Sequence, residues 1–358
     1  LRIQKYVEGK GVHFYGGEKV VEIVGDGGVV SAVRTDKRTI DADMVLMAVG
    51  IRPNTAMAKE AGLELAKNGT IVVDDSMRTS DPHIYAGGDC VQTKHLVTGK
   101  PVWQPMGSTA NRQGRVIADA IAGLRDTFAG VIGTGILKLF ELTIGRTGLN
   151  DAQAREAGYD PVSVLVHEPD RPHFMPGMGA MSIRLVADRN SRQILGAQLM
   201  GNGAVDKRLD ALVAAITGRL TVDLLADTDF AYAPPFSTAL DPITHAANVL
   251  RNKMDGLVRT YSPEEMAERM ATGTPPFILD VRTPKELDLQ GRLPYDSVNI
   301  PLGTLRARVG ELPKGQEIVV YCKTSGRAWD AISALKIAGF EDTAILEGGI
   351  TAWPYEIK

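Results

Sequence analysis

The chain has 358 residues, 44% of them hydrophobic and 23% charged, the composition of a globular protein too long for one ordinary domain. Its net charge of −3 argues against nucleic acid as the main partner, and no apolar run approaches the length that spans a bilayer. Two cysteines without paired spacing give no disulfide framework and point to a reducing, cytoplasmic setting, and six scattered histidines offer no metal-ligand spacing.

The opening Leu1-Arg2-Ile3-Gln4 has no initiator Met and reads as the inside of a helix over residues 1–9, the expectation for a fragment. Short β-like runs follow at 11–15, 20–24, 29–35 and 39–40. The turns Gly25-Asp26-Gly27-Gly28 and Thr35-Asp36-Lys37-Arg38 between them carry hairpin chemistry. Residues 44–50, Met-Val-Leu-Met-Ala-Val-Gly, form a fully apolar run. It reads as a central parallel strand buried on both faces, with Gly50 at the end where a ligand approaches.

Strands are expected at 70–74 and 84–89. In the second, Gly87 and Gly88 allow close backbone approach, and Asp89 at the strand end can accept hydrogen bonds from ligand hydroxyls. A helix then runs to about Ala122. Ser108 or Thr109 stands as its N-cap, and its free N–H groups face an electron-rich ligand edge.

Residues 131–250 read as a separate α+β region, with strands at 136–140, 162–167, 181–187 and 194–200. A helix over 206–216 brings Leu209, Leu212, Val213 and Ile216 onto one face. Residues 258–358 read as a small α/β domain. Its strands are expected at 277–282, 298–300, 318–321 and 344–346, and its helices at 262–270, 302–312 and 327–338.

One segment of this domain carries complete chemistry: Tyr321-Cys322-Lys323-Thr324-Ser325-Gly326-Arg327, between a strand and a helix. A Cys at such a turn faces free backbone N–H groups and the positive end of a helix, which favours the thiolate. Four residues separate Cys322 from Arg327, so Lys323, Thr324, Ser325 and Gly326 form a loop that Arg327 closes as an anion cradle. Cys90, set among small residues, has no such surroundings and reads as a packed thiol.

Residues 48–54, 77–89 and 110–115 together resemble the flavin-dependent pyridine nucleotide–disulfide oxidoreductases. The resemblance implies that Asp89, beside Gly88, meets the ribityl or pyrophosphate part of FAD. It also implies that the helix starting near Ser108, Thr109 and Ala110 points at the flavin pyrimidine edge, and that Gly50 lies beside NAD(P)H. No G-x-G-x-x-G occurs in the chain; the two fingerprints and the redox Cys of the family belong before residue 1 by its layout.

Thr147-Gly148-Leu149-Asn150, residues 203–210 and Tyr232-Ala233-Pro234-Pro235 resemble the dimerisation domain of the coenzyme A–disulfide reductase branch. A homodimer is implied, with Tyr232 reaching across it to the substrate pocket. The branch places another tyrosine just before a Pro-Gly, but this chain has His173-Phe174-Met175-Pro176-Gly177. Coenzyme A therefore stands as one substrate or bound ligand beside other thiols, persulfides and polysulfides.

Residues 280–286, 299–302, the Cys322 loop and 347–353 resemble a rhodanese domain over its full length. Gly326 stands directly before Arg327, one position later than is common, and Gly291-Arg292-Leu293-Pro294 replaces the usual Gly-His-Ile-Pro. Asp280, Arg282 and Glu286 are expected to brace this domain.

The expected fold is therefore a multidomain α/β and α+β protein, an incomplete flavoreductase with two dinucleotide-binding domains. Residues 1–50 are the remainder of the NAD(P)-binding domain, 51–130 the C-terminal segment of the FAD-binding domain, 131–250 the dimerisation domain and 258–358 the rhodanese domain. The expected activity is FAD- and NAD(P)H-dependent reduction of disulfide, persulfide or polysulfide sulfur, with Cys322 carrying sulfane sulfur as a persulfide. The alternatives are a sulfurtransferase with the reductase part as scaffold and a non-catalytic dimerisation and sulfur-binding module. A third is a phosphatase, for which the loop is one residue short.

Overall fold

The computed structural model describes residues 2–124, 126–273 and 275–358. Leu1, where the expected first helix begins, lies outside them. Residues 1–54 form one compact unit and residues 55–358 another.

The first unit holds helix α1 (Arg2–Glu8) and an antiparallel sheet of β1 (Val20–Asp26), β2 (Val29–Thr35) and β3 (Thr39–Asp41). Both expected hairpin turns are present. Gly27 and Gly28 take positive φ between β1 and β2, a conformation that glycine adopts without a Cβ penalty. The apolar run at 44–50 departs from expectation. It forms no strand, and Met44, Leu46, Met47 and Val49 are exposed. An apolar run becomes a buried strand when neighbouring strands satisfy its backbone, and no strand of the described residues pairs with it. Residues 11–15 are likewise irregular.

The second unit opens with helix α2 (Ala56–Glu60), the two-stranded β4 (Thr93–Lys94) and β5 (Pro101–Val102), and helix α3 (Gly107–Ile121). They enclose a small core that includes Ile71, Met77, Val91, Val116 and Phe128. The strands expected at 70–74 and 84–89 are reduced to single bridges, Leu65 with Ile71, Ile71 with Val91 and Arg78 with Tyr85. Met77 at φ 64° and Gly88 at φ 88° turn the chain out of extended geometry before a ladder can propagate.

Next comes a five-stranded antiparallel sheet in the order β6-β7-β10-β9-β8. Its strands are β6 (Gly135–Leu139), β7 (Leu142–Gly148), β8 (Pro161–Pro169), β9 (Ala180–Asp188) and β10 (Ile194–Gly201). Helix α4 (Asp151–Glu156) follows β7, capped reciprocally by Asn150 and Gln153. Helices α5 (Val205–Thr217), α6 (Val222–Ala226) and α7 (Pro242–Met254) follow β10 and cover the sheet. A Cβ at Gly145 would come within 2.7 Å of Leu209, so this glycine sets how closely α5 can lie on β7. Strand β7 and helices α4, α6 and α7 add to the elements expected from sequence.

The C-terminal region is a parallel sheet in the order β11-β15-β14-β12-β13. Its elements in chain order are β11 (Arg259–Tyr261), α8 (Pro263–Ala271), β12 (Phe277–Asp280), α9 (Pro284–Gln290), β13 (Val298–Asn299) and α10 (Leu302–Arg308). A 3-10 turn, β14 (Ile318–Tyr321), α11 (Gly326–Ile337), β15 (Thr343–Leu346) and α12 (Gly349–Ala352) complete it. Central strand β14 is buried throughout. Ile318 and Val320 enter one apolar cluster, Val319 and Tyr321 another, as the two-residue period of a strand covered on both faces requires. Strand β11 and helix α9 were not among the expected elements.

The two sheets meet through Glu347, which is buried. One carboxylate oxygen accepts the backbone N–H of Leu165 on β8 at 2.9 Å. The other accepts Lys253 Nζ of α7 at 3.0 Å and the Thr260 hydroxyl of β11 at 2.6 Å. Strand β8 is the edge of the antiparallel sheet, so the carboxylate satisfies part of an edge that would otherwise lack a partner. Substitution of Glu347 by Ala leaves the buried Leu165 N–H without its acceptor and the half-buried Lys253 ammonium with only the Ser163 carbonyl, at 2.9 Å. It should destabilise the chain by about 2–4 kcal/mol, read by chemical denaturation with the parallel-sheet region losing protection from hydrogen exchange. A loss below about 1 kcal/mol would show that the sheets dock without it.

Candidate active site

Strand β14 delivers its C-terminal end to the middle of the parallel sheet, and Cys322 follows it, only 1% exposed. The Ser325 N–H donates to Cys322 Sγ at 3.1 Å. Ser325 holds a left-handed backbone at φ 92°, and its hydroxyl donates to the Leu346 carbonyl at 2.9 Å. A non-glycine residue in that conformation costs energy that the surrounding contacts must offset, and here the bond to Leu346 helps to hold it. Helix α11 starts one residue later, with its free N–H groups at the loop. Of the several backbone donors expected at the sulfur, one makes a hydrogen bond among the described residues.

The loop is braced from behind. Ile350 N–H donates to the Cys322 carbonyl at 3.0 Å and Thr351 N–H to the Lys323 carbonyl at 3.1 Å. A Cβ at Gly349, which has φ 55°, would overlap those same carbonyls, so this position accepts glycine alone. Lys323 is exposed, Thr324 and Ser325 are half-buried, and Gly326 is exposed with open space around it.

Arg327 stands beside Cys322 and grips Glu286 in a fork, Nη1 to Oε2 at 2.7 Å and Nη2 to Oε1 at 2.5 Å. The guanidinium holds the Glu286 carboxyl down at about 2, helped by the Thr283 N–H and hydroxyl that donate to it. Glu286 in turn raises the Arg327 pKa, with Cys322 a smaller cause in the same direction. Glu286, expected as a brace, thus sits at the mouth of the cradle as the partner of its arginine. Its position in the sequence gives no sign of this, because the contact spans 41 residues. Asp280 and Arg282 do brace the domain, as a fully buried pair at 2.6 Å.

In the reductase portion, Asp89 is exposed, and its carbonyl accepts the Trp103 indole N–H at 2.7 Å. Helix α3 begins at Gly107 with Met106 in the capping position and no side-chain cap. Ser108 and Thr109 are therefore second and third helical residues rather than caps, because Met106 already adopts the extended backbone of a cap and its carbonyl accepts the Ala110 N–H. Ala110 lies against Gly88, where an added Cβ would be 3.7 Å from its own. The segment end at Gly88 and the helix start thus converge.

Gln113, fully buried, accepts the Gly88 N–H at 2.8 Å and leaves its Nε2 without a protein partner. It escaped notice as a site residue. Its only signal in the sequence is a polar side chain on the face that also buries Thr109 and Val116. Cys90 is half-buried, with its thiol 3.5 Å from the Gly87 carbonyl. Gly50, in the first unit, takes φ 94° and has open space where a Cβ would lie.

Tyr232 is 55% exposed on the loop between α6 and α7, at a cleft lined also by Asp229, Thr238 and Asp241. Arg208, fully buried, secures this loop. It pairs with Asp241 at 2.9 Å, and the same nitrogen donates to the carbonyls of Phe236 at 3.3 Å and Asp170 at 3.1 Å. The loop carrying His173 and Phe174 and the loop carrying Tyr232 are thereby tied to one guanidinium. Phe174 is 67% exposed. Among the described residues no group of His, Cys, Asp or Glu is arranged to hold a metal ion, and no helix is long and apolar enough to cross a membrane.

Residues 1–113 match the pyridine nucleotide-disulphide oxidoreductase model and residues 136–243 its dimerisation domain, while residues 262–355 match the rhodanese-like domain. An NAD-dependent persulfide reductase from A. fulgidus superposes with a TM-score of 0.90 at 41% identity, covering 98% of this chain and 63% of that one. The reduced Bacillus anthracis CoADR-RHD gives 0.90 at 34% identity, covering 98% and 62%. A CoA-dependent NAD(P)H sulfur oxidoreductase from Pyrococcus furiosus is 38% identical over 222 residues, which are 62% of this chain and 50% of that protein. The chain spans about half the length of the curated relatives it matches. It belongs to the pyridine nucleotide–disulphide oxidoreductase family and carries a rhodanese-like domain at its C-terminal end.

Proposed function

We propose that the protein of which this chain is part reduces disulfide, persulfide or polysulfide sulfur with FAD and NAD(P)H, and that Cys322 carries sulfane sulfur as a persulfide. The observation that supports this most directly is the Ser325 N–H aimed at Cys322 Sγ, with Arg327 beside it, in a domain docked on the dimerisation sheet. A sulfur anion at that position is stabilised by oriented donors and a nearby cation that need no rearrangement. FAD and NAD(P)H, when bound, supply hydride transfer. Asp89 fits the cofactor's hydroxyl groups, the open N–H groups of Gly107, Ser108 and Thr109 fit an electron-rich ring edge, and Gly50 leaves room for the nicotinamide dinucleotide. The unpartnered Nε2 of Gln113 behind Gly88 is a further donor in that region.

In this reading residues 1–50 and 51–130 complete the two dinucleotide-binding domains, 131–250 join two copies in a homodimer, and 258–358 are the sulfur carrier. Tyr232, exposed on a loop held by Arg208, serves the substrate pocket across the dimer. The segment His173–Gly177 offers no side-chain hydroxyl, which favours a less polar thiol or persulfide as substrate and leaves coenzyme A as one bound ligand among several. The two cysteines suit a reducing, cytoplasmic compartment.

In the complete protein, Cys322→Ser should abolish formation of a protein persulfide and lower NADH-dependent sulfide release by about tenfold or more. Unchanged release across persulfide and polysulfide donors would remove Cys322 from the reaction. Sulfur transfer from thiosulfate to cyanide with no NADH consumption would leave a sulfurtransferase on a reductase scaffold.

The Glu286–Arg327 pair adds a pH prediction. The Glu286 pKa is lowered in the folded chain from 4.5 to about 2, so its stabilising contribution is fully present above the unfolded value and is lost as pH falls through the folded one. The stability difference between the wild type and Glu286→Gln should therefore be constant above about pH 5 and shrink towards pH 2. A difference that changes between about pH 6 and 8 would assign the effect to another group.

A further inference from the structure

Arg327 reaches the cradle with its charge already matched. Both terminal nitrogens of its guanidinium are engaged by Glu286, at 2.7 and 2.5 Å. The carboxylate is no chance partner, because the first turn of α9 builds it in place. It accepts the Thr283 N–H at 3.0 Å and the Thr283 hydroxyl at 2.9 Å, and Pro284 opens the helix behind them. The pair is accessible, with side chains 34% and 23% exposed. The remaining charged side chain of the loop is Lys323, which points to solvent.

A sulfur donor entering here meets one fixed carboxylate and one cation whose two best donors are occupied. A dianion must displace Glu286 from Arg327 or sit close to it, and like charges at such separations repel by far more than thermal energy. A neutral donor meets no such barrier.

We propose that Glu286 sets the charge of the sulfur donor, so that the Cys322 cradle takes sulfur from neutral or singly charged organic persulfides in preference to the thiosulfate dianion. The proposal names the donor class for the sulfur-carrier role of Cys322, on which it rests. In the step itself the Cys322 thiolate attacks the outer sulfur of R–S–SH. Its electron pair forms the new S–S bond, and the old S–S bond breaks with its pair on the departing RS−. The products are Cys322–S–SH and a thiolate that takes a proton from water, and no other oxidant or reductant enters.

The test is the rate at which the full chain gains one sulfur atom on Cys322, followed by intact mass, with 2-hydroxyethyl persulfide, which carries at most one negative charge, and with thiosulfate as donors. The wild type should load faster from the persulfide. Glu286→Gln, which keeps a residue suited to the capping box, should speed loading from thiosulfate about tenfold or more and change loading from the persulfide by less than about threefold. Thr283→Ala loosens the same cap without removing the charge and should keep the wild-type ratio of donors. Equal changes for both donors in Glu286→Gln, or a Thr283→Ala variant that matches it, would make Glu286 a brace and overturn the proposal alone. A wild-type chain that loads from neither donor, while Cys322 still reacts with iodoacetamide, would overturn the sulfur-carrier role and this proposal with it.

Discussion

A buried carboxylate joins the two five-stranded sheets of this chain. Glu347 accepts a backbone N–H from the edge of the antiparallel sheet, a lysine from α7 and a hydroxyl from the first strand of the parallel sheet. A carboxylate so deeply buried is costly unless its oxygens are occupied. The three donors come from three different segments, so the partners must all arrive for the cost to be met. The next two residues, Gly348 and Gly349, take positive φ and turn the chain under the Cys322 loop. The N–H groups of Ile350 and Thr351 then donate to the carbonyls of Cys322 and Lys323. Docking and the geometry of the nucleophile thus share one stretch of five residues.

Three arginine–carboxylate pairs illustrate how burial separates structural roles from chemical ones. Arg282 with Asp280 and Arg208 with Asp241 are sealed, their side chains between 0% and 2% exposed. Such pairs contribute little net stability against apolar residues of the same size, yet removing one partner costs about 3–5 kcal/mol. Their effect is to fix geometry: Arg282 ties β12 to the Gly291 carbonyl, and Arg208 ties the loop of Phe174 to the loop of Tyr232. Arg327 with Glu286 is open to solvent by comparison. A ligand can compete for it, which a sealed pair does not allow.

Much of the C-terminal region was readable from residues alone. An apolar run, a Cys, a short loop and an Arg at the head of a helical pattern describe β14, the loop and α11, because every one of those signals is local, whereas among the described residues one of the several expected backbone donors bonds the sulfur. The strands expected between residues 131 and 250 also appear, as β6, β8, β9 and β10. Failures came where partners decide the outcome. Residues 44–50 have the composition of a central strand, but composition records only that a surface needs cover, not which strand supplies it. The cap of α3 lies two or three residues before the expected Ser108 or Thr109, because Ser and Thr are good caps in general, while Met106 takes the position through its extended backbone. The grip of Glu286 on Arg327 is likewise not a local signal, because it joins residues 41 apart on α9 and α11.

Fixed docking also constrains how a carried sulfur can leave. The connection between α7 and β11 spans only residues 255–258, and the Leu257 carbonyl within it accepts Lys336 Nζ of α11 at 2.7 Å. This bond ties the linker to the small domain, while Glu347 ties that domain to β8 and α7. A carrier domain on a long flexible tether delivers its cargo by swinging, and its effective concentration at the second site is set by tether length. A domain pinned in this way cannot search space by that route. Sulfur on Cys322 would then move to a small thiol that enters the cradle, takes the terminal sulfur by the reverse of the loading step, and diffuses to the reductive site. The charge logic of the cradle serves both directions of that exchange: a donor that arrives as a neutral persulfide leaves as a singly charged thiolate, and neither needs to break the grip of Glu286 on Arg327.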